Sequence, residues 1–261
     1  MIGIVGGMGP RAGLDLAHKV MELTPAQHDH EHLPTVLASL PRRIPDRAPY
    51  LRGDTSVNPA EAIADILGQL DRMGVTVAAI PCVTAHSAPI LTRVHERIWE
   101  DGLRLELLSF VEETIAYIQR SYPAASCIGS LSTTATIDFG VLIKPLVSAG
   151  FTAVVCDSEM QSRFVNETIY DHTYGLKADA DPVTDRAREQ LQQAVRQLSA
   201  KGADAIILGC TELPLALPEA EFEGVPLIDP THAVALALIH HATRGDALLE
   251  ARVDAQLAAH P

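Results

Sequence analysis

Short apolar runs alternate with longer helical patterns along the chain, and this alternation restricts the fold more than any other feature. Most of the runs are apolar throughout, which is typical of strands covered on both faces of a parallel sheet. The predicted strands are Ile2–Val5, Thr35–Ala38, Val75–Ile80, Leu105–Leu108, Ser126–Leu131, Ala153–Val155, Ala205–Leu208 and Pro226–Ile228. The predicted helices between them are Asn58–Arg72, Thr84–Trp99, Ile137–Ala149 and Pro182–Ser199. The pattern predicts an α/β fold with mostly parallel sheets flanked by helices.

The two halves of the chain repeat one order of elements. Each half begins with a glycine-bearing strand and reaches a cysteine after its third strand. Cys82 follows Ile2 at almost the same distance as Cys210 follows Ile128. This order predicts two pseudosymmetric α/β domains, residues 1–110 and 111–261, with the last helix a candidate to pack on the N-terminal domain. The alternative is that any α/β chain looks periodic on this scale.

Composition limits the partners of the chain. The formal net charge of −13 disfavours binding to the phosphates of nucleic acids. No apolar stretch approaches the roughly 18 residues of a membrane span, and the N-terminal MIGIVGGMGP lacks the basic region of a signal peptide. Four cysteines in 261 residues do not make a disulfide framework. We therefore expect a cytoplasmic protein with free thiols and with neither nucleic-acid nor membrane partners.

Cys82 and Cys210 are the main candidates for catalysis. Ligands of open parallel sheets bind beyond the carboxyl ends of the strands, and each of these cysteines follows such an end. We expect both thiols to face one interdomain cleft. There a thiolate can remove a proton from a carbon acid and a partner thiol can return one. Thr84 and Thr211 follow closely, where a hydroxyl and helix-end N–H groups can hold a carboxylate.

Several other patterns have simpler explanations. A cysteine can pack as a small buried side chain, and this interpretation is favoured for Cys127 and Cys156. The GGMGP turn resembles a phosphate-binding loop but lacks the lysine of that motif. His28, His30 and His32 alternate in a loop, yet no cysteine or further acidic cluster completes a zinc site. We therefore expect no nucleotide and no metal ion.

Six motifs carry a resemblance over essentially the whole chain. They are MIGIVGGMGP at the start, IPDR at Ile44–Arg47, PCVTAH at Pro81–His86, SLSTTAT at Ser130–Thr136, IYDHTYGLK at Ile169–Lys177 and LGCTELP at Leu208–Pro214. With them the sequence resembles the aspartate/glutamate racemase family, the cofactor-independent amino-acid racemases. The resemblance implies two pseudosymmetric α/β domains with the active site in the cleft between them. It also implies a two-base inversion of the α-carbon, no cofactor such as pyridoxal phosphate, and a homodimer.

The resemblance also implies roles for individual residues. The two cysteines of PCVTAH and LGCTELP become the acid/base thiols, and Arg47 and Lys177 become cations near the substrate carboxylates. Each of these cations could instead be a solvated surface residue. His86 and Glu212 are implied as the partners that set thiol protonation. The substrate-binding positions are Met8, Gly9, Arg47, Val83, Thr84, Thr133, Thr136, Lys177 and Thr211.

Two departures from the family pattern affect the substrate. The family motif Pro-Cys-Asn-Thr-Ala-His has Val83 here in place of the asparagine, and the upstream Ser-Asn-Pro has Leu40. Both changes remove amide groups that would contact the substrate, and a missing hydrogen-bond partner changes specificity strongly. Arg42 or Arg43 could supply a replacement contact.

Three functions are consistent with these observations. The first is an amino-acid racemase acting on aspartate, glutamate or another amino acid. The second is a related activity, such as that of a hydantoin racemase, a maleate cis–trans isomerase or an arylmalonate decarboxylase. The decarboxylase needs only one cysteine, so the presence of both disfavours it. The third is a binding protein for a small acid, without catalysis.

Overall fold

The computed structural model describes residues 1–178, 182–245 and 249–253. The chain forms two compact units. Unit 1 contains Met1–Thr114 together with the segment that starts at Thr231, and unit 2 contains Ile115–Pro230. The prediction placed a single boundary after residue 110, and the final residues of its second domain, 254–261, lie outside the described part of the chain. The predicted α/β class is confirmed, because each unit is built on a sheet of mostly parallel strands flanked by helices.

Unit 1 contains a sheet of four parallel strands in the order β2-β1-β3-β4. Its elements are β1 (Ile2–Gly6), α1 (Pro10–Leu23), β2 (Thr35–Ser39), α2 (Arg47–Arg52), α3 (Pro59–Arg72), β3 (Val77–Ala79), α4 (Ala88–Glu100) and β4 (Glu106–Leu107). Helix α5 (Phe110–Ser121) begins in unit 1 and ends in unit 2. Short 3-10 turns lie at Asp29–Glu31 and Val83–His86.

Unit 2 contains a sheet of five strands in the order β6-β5-β7-β9-β8, in which only the β8–β9 pair is antiparallel. Its elements are β5 (Cys127–Ser132), α6 (Thr134–Asp138), α7 (Ile143–Ser148), β6 (Thr152–Val155), α8 (Ser158–Met160), a π-helical turn (Gln161–Asn166), α9 (Glu167–Tyr170), α10 (Asp185–Ala200), β7 (Ala205–Gly209), α11 (Leu213–Ala216), β8 (Glu221–Phe222) and β9 (Val225–Ile228). Helix α12 (Pro230–Thr243) follows β9, and all but its first residue belongs to unit 1.

Two of the long helices begin at residues whose side chains cap them. The Asn58 side chain accepts a hydrogen bond from the Ala60 N–H at 3.0 Å, and Pro59 occupies the first turn of α3. Thr184 caps α10 in the same way through the Ala187 N–H. Each helix then buries its apolar side within its own unit. The core of unit 1 includes Ile63 and Leu67 of α3, and that of unit 2 includes Leu191 and Val195 of α10.

The structure divides two of the predicted helices. The segment Thr84–Trp99 is a 3-10 turn followed by α4, because Pro89 in a continuous helix would clash with the Ala85 carbonyl. The segment Ile137–Ala149 is interrupted at Gly140, whose φ of 65° ends a right-handed helix. Among the described residues, no helix combines the length and the apolar character that crossing a bilayer requires.

Candidate active-site residues

The two candidate cysteines follow equivalent strands. Strand β3 pairs with β1 in unit 1, and β7 pairs with β5 in unit 2. Each cysteine therefore follows the strand that pairs with β1 or β5, the first strand of its unit in chain order. Cys82 is 5% exposed and Cys210 is 7% exposed. Because the surroundings of the thiols differ, we describe two clusters. The Cys82 cluster is Ile80, Cys82, Val83, Thr84 and His86. The Cys210 cluster is Lys177, Cys210, Thr211 and Glu212.

The backbone around Cys82 is held by the carbonyl of Ile80. This oxygen accepts the Cys82 N–H at 2.7 Å and lies 3.1 Å from Nε2 of His86. Since a carbonyl only accepts, Nε2 carries the proton and Nδ1 of His86 is the bare nitrogen. Burial lowers the pKa of His86 to about 4, so the ring is neutral near pH 7. The His86 ring and the Cys82 N–H therefore bond to the same carbonyl oxygen, that of Ile80.

The 3-10 turn after Cys82 places Val83 and Thr84 differently. The Ala85 N–H donates to the Cys82 carbonyl at 3.0 Å, and this bond closes the turn. Val83, the departure from the family motif, is buried, whereas Thr84 is partly exposed. An apolar side chain thus directly follows the thiol.

The Cys210 cluster is a chain of polar contacts centred on a buried carboxylate. Cys210 Sγ donates to Glu212 Oε2 at 3.1 Å, and Lys177 Nζ donates to Glu212 Oε1 at 2.8 Å. The Thr211 hydroxyl also reaches Glu212 Oε2, at 3.4 Å. The side chain of Glu212 is only 3% exposed, and that of Lys177 is 24% exposed. The buried carboxylate is therefore compensated by an ammonium, as a buried charge requires.

Burial raises the pKa of the Cys210 thiol far above its ordinary value. The negative charge of Glu212 raises that pKa further, and the positive charge of Lys177 lowers it by less. Cys210 therefore carries its proton near pH 7 and donates it to Glu212. The sequence implied Glu212 as a partner of this thiol, and the structure brings the two side chains together.

Thr133 and Thr136 lie where β5 ends and α6 begins. Thr133 is the N-cap of α6, and its hydroxyl accepts the Thr136 N–H at 3.3 Å. The two hydroxyl oxygens are 3.0 Å apart. Both residues are buried, so they hold the turn at the carboxyl end of β5 in one conformation.

The β1–α1 turn is contacted by Arg47 and by the chain after β2. Arg47 Nη2 lies 3.5 Å from the Met8 carbonyl, and Met8 is buried. Gly9 directly precedes α1. Gly7 has a φ of 106°, and a Cβ there would lie 2.9 Å from the Pro41 nitrogen, so this close approach requires glycine.

Arg42 and Arg43, the suggested replacements for the missing amides, are exposed in the turn that leads from β2 to Ile44. Of the three alternating histidines, His28 and His30 stack their rings at 5.7 Å. Over the described ranges, no group of three or more histidine, cysteine, aspartate and glutamate side chains is arranged to hold a metal ion.

Two amides near the end of β5 were missed in the sequence. Gln161 Nε2 donates to the Ser132 carbonyl at 2.8 Å, and Asn166 Oδ1 accepts the Thr134 N–H at 3.1 Å. Both amides lie in the π-helical turn. Spaced five residues apart in a polar helical segment, they match no recognised motif, so the sequence carried no signal for them.

Comparison with known proteins agrees with this architecture. The model of the Asp/Glu/Hydantoin racemase family matches residues 5–238. RacX of Bacillus subtilis, a broad-specificity amino-acid racemase, is 28% identical over 243 residues, which cover 92% of this chain and 96% of that protein. An aspartate racemase of Picrophilus torridus has a TM-score of 0.73 at 26% identity, over 95% of this chain and 98% of its own. An aspartate racemase homologue from Pyrococcus horikoshii has a TM-score of 0.68 at 20% identity, over 93% of this chain and 99% of its own.

The chain therefore belongs to the Asp/Glu/hydantoin racemase family. The resemblance inferred from the six sequence motifs is confirmed.

Proposed function

We propose that this protein is an isomerase that inverts the α-carbon of an amino acid without pyridoxal phosphate, with Cys82 and Cys210 as its two bases. The observation that carries the proposal is the equivalent placement of the thiols, each after the strand that pairs with the first strand of its sheet. This position lies at the carboxyl edge of a parallel sheet, where α/β proteins bind ligands. Membership of the racemase family supports the same chemistry.

In the proposed reaction, one thiolate takes the proton from the α-carbon, and the electrons of the C–H bond move into the carboxylate group. The opposite thiol then gives its proton to the other face of the carbon, and the two sulfurs exchange protonation states. No oxidant or reductant is consumed. Cys210 is protonated and hydrogen-bonded to Glu212, so in the direction that starts from this state Cys82 is the base and Cys210 the acid.

The polar partners of Cys210 serve the same reaction. Lys177 is more exposed than Glu212, and we assign its ammonium to a substrate carboxylate as well as to Glu212. When Cys210 loses its proton, the ammonium also offsets part of the negative charge that accumulates beside the buried carboxylate. Arg47 is assigned to a second carboxylate, because its guanidinium lies at the β1–α1 turn beside Met8. Met8, Gly9, Thr84, Thr133, Thr136 and Thr211 are assigned to the remaining polar contacts.

Aspartate or glutamate is the first substrate class to test, followed by a broader range of amino acids. Val83 and Leu40 supply no amide, so the substrate's polar groups have fewer partners. The similarity to a racemase described as broad in specificity favours the wider range. A second candidate, a hydantoin racemase, is favoured by the buried apolar side chain of Val83, which suits a substrate without a free ammonium.

The test is exchange of the α-hydrogen in D2O, followed by NMR without added pyridoxal phosphate. The panel contains both enantiomers of aspartate, glutamate and several neutral amino acids, together with a hydantoin and maleate. Exchange with loss of optical activity, unchanged after hydroxylamine treatment, supports the proposal and identifies the substrate. If only the hydantoin or only maleate reacts, the protein is a hydantoin racemase or a maleate isomerase and not an amino-acid racemase. Tight binding of a small acid without exchange replaces it with the binding function.

We further propose a homodimer in the cytoplasm. The homodimer rests on the family resemblance, and light scattering after gel filtration measures the assembled mass. The compartment rests on the acidic composition and on four cysteines that are all free thiols. Fractionation of the source cells with an antibody tests it.

A further inference from the structure

The buried side-chain amide of Gln161 uses its NH2 group in hydrogen bonds but not its oxygen. It is 8% exposed, and its Nε2 donates to the Ser132 carbonyl at 2.8 Å and reaches the Thr134 hydroxyl at 3.4 Å. Its buried Oε1 has no hydrogen-bond partner within the described part of the chain. The orientation follows from Ser132, because a backbone carbonyl can only accept. A buried acceptor without a donor destabilises a protein by about 1–3 kcal/mol, which offsets what the bond to Ser132 contributes to stability.

The segment held by Gln161 lies beside Cys210. Ser132 is the register partner of Gly209, and Gly209 directly precedes Cys210. A Cβ on Gly209 would lie 2.0 Å from the Ser132 hydroxyl oxygen, so these two strand ends are in close contact. Any displacement of Ser132 is therefore transmitted to the backbone that carries the thiol.

A second amide holds the next residues of the same turn. Asn166 Oδ1 accepts the Thr134 N–H at 3.1 Å, and Asn166 Nδ2 donates to the Thr134 hydroxyl. In an α-helix, residues five apart point about 140° away from one another. In a π-helical turn the backbone bonds join residues five apart, so Gln161 and Asn166 lie on one side. The unusual turn thus directs both amides at Ser132–Thr134.

We propose that Gln161 and Asn166 form an amide clamp that positions Cys210 and the Thr133 cap for catalysis. Both are positioning residues, since they act through Ser132 and Thr134. The inference rests on the proposed function in so far as Cys210 is an acid/base group. It explains why a costly buried amide occupies position 161: its donor is needed on the Ser132 carbonyl, although its acceptor stays unsatisfied.

The first test is Gln161→Met, which keeps the length of the side chain and removes both polar atoms. We expect kcat for the substrate found in the panel to fall by about 10-fold to 100-fold, as for lost support of a functional group. We expect KM to change less than threefold and Tm to stay within about 2 °C. The matched control is Gln197→Met, since the hydrogen bonds of the Gln197 side chain go to Asp157, before the π-helical turn, and not to Ser132–Thr134. The control should keep its kcat.

Gln161→Glu supplies the rescue. The introduced carboxyl group can donate to the Ser132 carbonyl only when it is protonated. We therefore expect its kcat, relative to that of the wild type, to rise as the pH falls through the pKa of this group. A kcat for Gln161→Glu that stays as low as that of Gln161→Met at every pH would overturn the clamp.

A spectroscopic measurement separates the clamp from the proposed function. In protein labelled with [¹³Cβ]cysteine, Gln161→Met should shift the Cys210 resonance and leave that of Cys127, at the opposite end of β5, in place. This result supports the clamp even if no compound in the panel reacts. If the wild type is active and Gln161→Met changes neither kcat nor the Cys210 resonance, the racemase function stands and the clamp is excluded.

Discussion

In both units the candidate cysteine follows the strand that pairs with the first strand of its unit in chain order, but different groups surround the two thiols. Near Cys82 the buried titratable group is the neutral imidazole of His86, which bonds to the Ile80 carbonyl. At Cys210 the partner is a carboxylate that accepts the thiol proton and is paired with Lys177. The repeated fold thus sets the position of both sulfurs, whereas the residues that follow each strand set the local charge.

Replacement of either sulfur should have the largest effect. We expect Cys82→Ser and Cys210→Ser each to reduce racemisation by about 10³-fold or more, because a serine hydroxyl is too weak an acid to exchange protons in this role. Cys127→Ser is the matched control and should keep its activity. Polarimetry from both enantiomers measures the rates. If both single variants still racemise fully, the two-base mechanism is wrong.

The burial of His86 in its neutral form should make the stability of the protein depend on pH. Its pKa of about 4 lies below the ordinary histidine pKa of 6.5, so between these pH values the unfolded chain binds more protons. The stability that the neutral ring contributes is present above pH 6.5 and is lost as the pH falls towards 4. We expect His86→Phe to reduce the loss of unfolding free energy between pH 7.5 and 4.5 by about 2.5 kcal/mol.

Urea unfolding at the two pH values measures this difference. The exposed His172 supplies the control, because His172→Asn should leave the pH dependence unchanged. At pH 7.5, His86→Phe should be less stable by about 1–2 kcal/mol, since the bond to Ile80 is lost. A wild-type slope that persists in His86→Phe would assign the titration to another group.

Glu212→Gln should make the Cys210 cluster resemble the Cys82 cluster, because it removes the carboxylate beside the thiol. It removes the negative charge that helps to raise the pKa of Cys210, so that pKa should fall, while Lys177 loses its charged partner. We expect kcat to fall by about 10-fold to 100-fold and the limb of its pH profile due to Cys210 to move to lower pH. Glu219→Gln, which breaks the Arg188 ion pair in the same unit, is the control. An unmoved profile would show that Glu212 does not tune the thiol.

Much of the fold follows from local pattern, because the buried strands are short apolar runs with clear ends. The predicted Ile2–Val5 and Ala205–Leu208 each differ from the observed strand by one residue. The helix interruptions at Pro89 and Gly140 were missed, because hydrophobic periodicity continues across a break in backbone geometry. Helix α10 was predicted well, since Thr184 caps it and its apolar spacing is regular.

The site was predictable where its members are close in sequence. Glu212 is two residues from Cys210, so the LGCTELP motif alone paired them. His86 lies four residues after Cys82, but the 3-10 turn directs its ring to the Ile80 carbonyl. Gln161 and Ser132 are far apart in the chain, and only the observed fold and the π-helical turn bring them together.

The placement of α12 has a consequence for the order in which the protein is made. Unit 2 is one continuous segment, Ile115–Pro230, inserted between two parts of unit 1. His241 of α12 bonds Glu106 of β4 at 3.0 Å, so unit 1 needs residues synthesised after all of unit 2. On the ribosome, the unit that begins first is therefore completed last. A stop codon before Thr231 would leave unit 2 whole and would deprive the N-terminal sheet of helix α12.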